Sequence, residues 1–157
     1  MFKLRSKGKQ SDLVDSALYN QDTFYKEFLR NISRCKTELL IESPFITSRR
    51  MQLLMPIFRK LRKRGVKIIV NTRCPDEHYG VHREQAVEAI ADMRSLGVKV
   101  LYTVRHHRKM SIIDRTIIWE GSLNILSYSN SCEIMRRIVS PGLAQQTIRF
   151  IGVKRYL

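Results

Sequence analysis

Short apolar runs separated by stretches of helical periodicity constrain this chain most. Glu38-Leu39-Leu40-Ile41-Glu42, Val66–Val70 and Val98–Tyr102 are each of strand length and mostly apolar. Between them, the apolar residues recur at helical spacing. A helix over 23–34, capped by Asp22, carries Phe24, Phe28, Leu29 and Ile32 on one side. Thr47 or Ser48 caps a second helix that ends near Arg64-Gly65, with Pro56 inside predicting a kink or two abutting pieces. A polar loop over 73–82 leads to a third helix over 83–95, with Ala86, Val87, Ile90 and Met93 facing inward and Gly97 closing it. Strands alternating with helices predict an α/β sandwich, with helices outside a mixed sheet.

From His107 onward the pattern changes. Residues 107–114 alternate as a strand, with His107, Lys109, Ser111 and Ile113 on one face and Arg108, Met110, Ile112 and Asp114 on the other. His107 and Lys109 then project to the same side, about 7 Å apart. Arg115-Thr116 turns the chain into a strand at 117–119, which returns Gly121-Ser122 beside the first. A strand over 133–139 and a helix over about 144–153 complete the reading. No internal repeat is present.

The same segment carries the chemistry. His107, Lys109, Asp114, Gly121-Ser122 and Asn124 fall within eighteen residues. An imidazole can bond to phosphorus while an ammonium and an amide hold the anionic oxygens, which is what attack on a phosphodiester without a metal requires. One histidine slipped by one place would present His106 instead, but only His107 satisfies the His-x-Lys spacing. His106 reads as part of the basic run Arg105-His106-His107-Arg108-Lys109.

These residues resemble the HKD motif of the phospholipase D superfamily, HxK(x)4D(x)6GSxxN, with the asparagine one place early in Gly121-Ser122-Leu123-Asn124. The resemblance implies the superfamily's α/β sandwich and residue roles. His107 would be the nucleophile of a phosphohistidine intermediate, and Lys109 and Asn124 would bind the phosphoryl oxygens. Ser122 would add a hydroxyl donor. Glu133, nine residues past Asn124, would orient His107 by a hydrogen bond to its imidazole. Asp114 faces away on a regular strand and is given structural work. Only one copy of the motif is present, so a second general acid would come from a homodimer. No cofactor or metal is expected.

Charge narrows the substrate. With 29 Lys and Arg against 14 Asp and Glu, the net charge is +15, which points to a polyanionic partner. Arg105, Arg108 and the run Lys60, Arg62, Lys63 and Arg64 are the candidate nucleic-acid contacts, alongside a basic arm over residues 1–11 preceding a single domain over 12–157. A nuclease is favoured, on DNA rather than RNA. A phospholipid-cleaving enzyme would need an apolar docking surface, and none is evident. A nucleic-acid-binding module of a larger restriction or helicase assembly is the third class.

No apolar run reaches signal-peptide or membrane-span length, so a cytoplasmic protein is expected. Cys35, Cys74 and Cys132 form no Cys-x-x-Cys pair, which predicts neither a disulfide framework nor a zinc site. Cys35 and Cys132 read as small buried hydrophobes. His78 and His82 share helical spacing, but Tyr79-Gly80 between them argues against a shared metal.

Overall fold

A computed structural model describes residues 12–157. The basic arm expected over 1–11 lies outside the described residues. Among the described residues, seven strands form one mixed sheet in the order β1-β7-β6-β5-β2-β3-β4. They are β1 (Asp15–Asn20), β2 (Glu38–Glu42), β3 (Lys67–Thr72), β4 (Lys99–Tyr102), β5 (Met110–Ile113), β6 (Ile117–Gly121) and β7 (Ile134–Val139). β2, β3 and β4 run parallel, and every other pairing is antiparallel.

Among the described residues, four α-helices cover the two faces: α1 (Phe24–Ser33), α2 (Ser48–Lys63), α3 (Gly80–Ser95) and α4 (Pro141–Ile151). Alternation along β2 shows why both faces must be covered. Leu39 and Ile41 join the core formed with Phe28, Leu54, Phe58 and Ile90, whereas Leu40 joins Ile112, Ile118, Ala144 and Ile148. Thus α1, α2 and α3 pack on one face and α4 on the other, and every residue of β2 is buried. This is the α/β sandwich the sequence predicts.

Trp119 in β6 is fully buried against Phe24 and Phe28 of α1, with ring centroids 5.1 and 6.1 Å away in edge-on geometry. Full burial of such side chains stabilises by roughly 1.5–3 kcal/mol each. The packing also fixes where β6 ends, and therefore where Gly121-Ser122 is delivered.

Several expectations need correction. The strand at 107–114 forms its ladder only over Met110–Ile113, and residues 107–109 precede it. β1 is absent from the sequence reading; it pairs antiparallel with β7 at the sheet edge. Its Asn20 side chain accepts from the backbone N–H groups of Asp22 and Thr23, a tight turn that leads straight into α1. Asp22 therefore does not cap that helix; Thr23 occupies the cap position. Pro56 does not divide α2, which runs unbroken through it. α3 begins at Gly80, earlier than predicted, and Val87 lies on its exposed side. α4 starts at Pro141 behind the N-cap Ser140, whose hydroxyl accepts from Leu143 N–H at 3.2 Å. Cys35 is buried as expected, but Cys132 is exposed.

Candidate active site

The site lies at the end of the sheet where the parallel strands β2 and β3 finish, the usual position for a ligand in an α/β sheet. Residues 103–109 cross this end before entering β5. Alternation persists although no ladder holds the segment. His106 Nε2 lies 3.2 Å from Glu42 Oε2, close enough for an ion pair though not aligned as a hydrogen bond. Arg108 forks onto the same carboxylate through Nε and through Nη2, the latter at 3.2 Å. The residues between and after point the other way. Lys109 Nζ lies 3.2 Å from His107 Nδ1 and 3.4 Å from its Nε2, and donates to the His107 carbonyl at 3.0 Å. His107 and Lys109 thus share one side, and His107 is exposed.

The second half arrives on the β6–β7 connection. Gly121 is required by a close approach: a Cβ there would come within 2.1 Å of the Ile134 carbonyl oxygen. That contact lets Ser122 N–H bond Ile134 O at 2.9 Å, while Ser122 Oγ accepts from Ile134 N–H at 3.0 Å. The Ser122 hydroxyl also donates to Glu133 Oε2, and Ser131 donates to Glu133 Oε1 at 2.5 Å. Glu133 therefore does not hydrogen-bond His107 as expected; it holds Ser122 and lies near enough to Lys109 to favour its charged form. Asn124 is half-buried, and its amide oxygen has no hydrogen-bond partner among the described residues. The neighbours Leu123, Ile125 and Leu126 are buried and anchor the turn.

His107, Lys109 and Ser122 open into a groove of about 780 Å³. Its floor is a row across four strands, Leu18, Arg136, Glu120 and Met110, in direct register. Electrostatics follow from this crowd of cations. The Lys109 ammonium, with lesser effects from desolvation, Arg73 and His106, holds the His107 imidazole below its ordinary value of 6.5 and so favours the neutral, nucleophilic form. Desolvation likewise lowers Lys109. Burial alone would raise Glu42, but His106, Arg108 and Asn71 outweigh it and hold the carboxyl at about 2.

Other predicted site residues lie elsewhere. Asp114 is at the far end of β5, where its carboxylate accepts from the backbone N–H groups of Lys36, Thr37 and Glu38 and from the Thr37 hydroxyl. It pins the entry to β2. The α2 run is also remote. The first turn of α2 touches the Ser122–Glu133 connection, since Thr47 accepts from Tyr128 N–H through its hydroxyl, while the last turn meets the α1–β2 loop. Sixteen helical residues separate the two ends by about 24 Å.

Arg64 there donates to the carbonyls of Ser33 and Cys35, and Arg62 to those of Val66 and Leu96. Lys60 and Lys63 are exposed. Arg105 is exposed near the site, with its backbone N–H bonded to Glu77. Arg108 lines the groove, but its guanidinium is committed to Glu42.

Sequence reasoning missed Glu42 and misassigned His106, whose side chain is wholly buried and not part of a basic surface run. The available signal was a charged residue closing an apolar strand, which is costly unless partnered. His78 and His82 instead flank the Phe45 ring at 5.1 and 6.2 Å. Among the described residues no group of three or more His, Cys, Asp and Glu could hold a metal ion. No helix among them is long and apolar enough to cross a membrane.

No curated protein matches the chain. Among solved structures it is similar to a phospholipase D family member, Nuc from Salmonella typhimurium, with TM-score 0.69 and 17% identity over 87% of this chain and 91% of that one. It is also similar to NucT from Helicobacter pylori, with TM-score 0.66 and 15% identity over 87% and 92%. TrmBL2, an archaeal chromatin protein whose structure shows a novel mode of DNA binding, gives TM-score 0.60 and 13% identity over 93% and 52%. At these identities the likeness is one of fold. The family model described as "Cardiolipin synthase, PLD-like domain" matches residues 28–152, a span that includes the whole motif from His107 to Asn124. The chain therefore belongs to the phospholipase D-like family.

Proposed function

We propose that this protein is a phosphodiesterase that cleaves nucleic acid without a metal, through a phosphohistidine on His107. The observation that carries this reading is the exposed His107 imidazole held against Lys109 Nζ at the mouth of an open groove. The imidazole nitrogen attacks phosphorus, and the N–P bond forms as an ester P–O bond breaks. Lys109 and the Asn124 amide donate to the non-bridging oxygens as their charge grows. The single proton of the Ser122 hydroxyl is committed to Glu133, so Ser122 acts by holding Glu133, which balances Lys109.

The departing oxygen needs a proton, and one motif supplies one histidine. In this reading the proton comes from His107 of the partner subunit in a two-fold homodimer, where an isologous contact brings the same patch of both chains together. The negative charge of a bound phosphodiester favours protonation of that second imidazole. Once neutral, it deprotonates the water that displaces the first histidine from phosphorus. Both imidazoles are then regenerated.

Nucleic acid is the favoured substrate because the net charge is +15, and DNA is favoured over RNA. The similarity in fold to TrmBL2, described as binding DNA, agrees with that choice. The family model's own description favours a second reading, a lipid phosphodiester. One assay separates them: labelled DNA, labelled RNA and anionic phospholipid vesicles, each incubated with the protein in excess EDTA. Cleavage of nucleic acid that persists in EDTA is expected. Activity abolished by EDTA and restored by magnesium or zinc contradicts the mechanism, and turnover of vesicles alone moves the substrate to lipid.

A further inference from the structure

Among the described residues, the backbones of His107 and Arg108 make no hydrogen bond with another backbone group, so no β-ladder among them aims the imidazole. Glu42 is placed to do it. It is the last residue of β2 and is fully buried. An unpartnered carboxylate there would be strongly destabilising, and a well-packed apolar residue would often serve stability as well or better. Each oxygen is used. Oε1 accepts from Asn71 Nδ2 at 3.0 Å and from Arg108 Nη2 at 3.2 Å, while Oε2 accepts from Arg108 Nε and lies 3.2 Å from His106 Nε2. Two of its three partners are therefore the residues immediately before and after His107. Arg73 reinforces the grip by donating to the His106 carbonyl at 2.7 Å.

We propose that Glu42 is the positioning residue of the nucleophile: by holding His106 and Arg108 from the buried side, it fixes the direction in which His107 meets the groove. The proposal rests on the reading that His107 is the attacking group. It assigns Arg108 a tether to Glu42 in place of a free phosphate contact.

The chain supplies a matched control on the same strand. Glu38, at the other end of β2, is also largely buried and is held by Arg115 at 3.1 and 3.2 Å, away from the site. Glu42→Gln keeps the shape but turns an amide N–H₂ against donors. Relative to wild type, Glu42→Gln is expected to lower kcat on the order of 10²-fold with KM unchanged. It should also move the His107 imidazole resonances and bring their titration closer to 6.5, as His107 loses its fixed place beside Lys109. Glu38→Gln should lower the unfolding midpoint while leaving kcat and the His107 resonances as they were.

Arg108→Met cuts the same tether from the exposed side and serves if Glu42→Gln does not fold; the same shift of the His107 resonances is expected. Because the resonances are read without substrate, a protein that cleaves no nucleic acid overturns the nuclease reading alone, and the Glu42 result still stands or falls. A folded Glu42→Gln or Arg108→Met protein with wild-type His107 resonances and kcat, or equal effects from Glu38→Gln, overturns the proposal.

Discussion

At the residue scale, a single short contact organises the chemistry. Lys109 lies against His107 and makes protonation of the imidazole harder, so the neutral form persists to more acid pH. Wild-type His107, followed by NMR, should therefore titrate below its ordinary value of 6.5, and Lys109→Met should move the titration up towards it. A wild-type midpoint at or above the ordinary value would rule this out. Asp114 gives the opposite kind of prediction, structural with a pH signature. Burial would raise its carboxyl, but backbone N–H groups and the Thr37 hydroxyl outweigh it and hold the group at about 2 against an ordinary 3.8. A depressed carboxyl contributes its stability above the unfolded value, and that contribution is lost as pH falls from the ordinary value towards the folded one. Allowing for solvent screening of a half-exposed group, Asp114→Ala should cost on the order of 1–2 kcal/mol at neutral pH. That corresponds to a Tm lower by roughly 2–8 °C, with the His107 titration unchanged. A variant as stable as wild type would refute the role of Asp114 in pinning residues 36–38.

At the element scale, α2 shows how a charged run can mislead. The run from Arg59 to Arg64 reads as one basic face, yet Arg62 and Arg64 spend their guanidinium groups on four backbone carbonyls at helix and loop ends. Arg62→Gln is expected to destabilise by about 1–3 kcal/mol through orphaned carbonyls, and Lys60→Gln or Lys63→Gln by less than about 0.5 kcal/mol. Urea unfolding midpoints separate them; equal midpoints for the three variants would refute the distinction. Sequence periodicity found the helices and inner strands because their apolar spacing is set by burial, as in β2, where every residue is covered. It missed β1, whose residues are half-buried at most and carry little alternation. The motif residues were legible from spacing alone. The Glu42 tether was not, since it joins residues 66 positions apart, and such long-range pairs leave no periodic trace.

At the scale of the whole molecule, one sheet end brings His107, Lys109 and Ser122 to one groove from two connections, with Glu133 bonded to Ser122 and Asn124 two residues further along the same connection. One such set offers one attacking imidazole, and the proposed reaction requires two histidines with different tasks. The most direct test is the activity, in EDTA, of a mixed dimer with one wild-type and one His107→Ala subunit. If each site needs both copies of His107, the mixed dimer should lose nearly all cleavage while its binding of nucleic acid stays close to wild type. A mixed dimer that retains half of the wild-type rate, or a His107→Ala homodimer that cleaves as fast as wild type, would contradict the account.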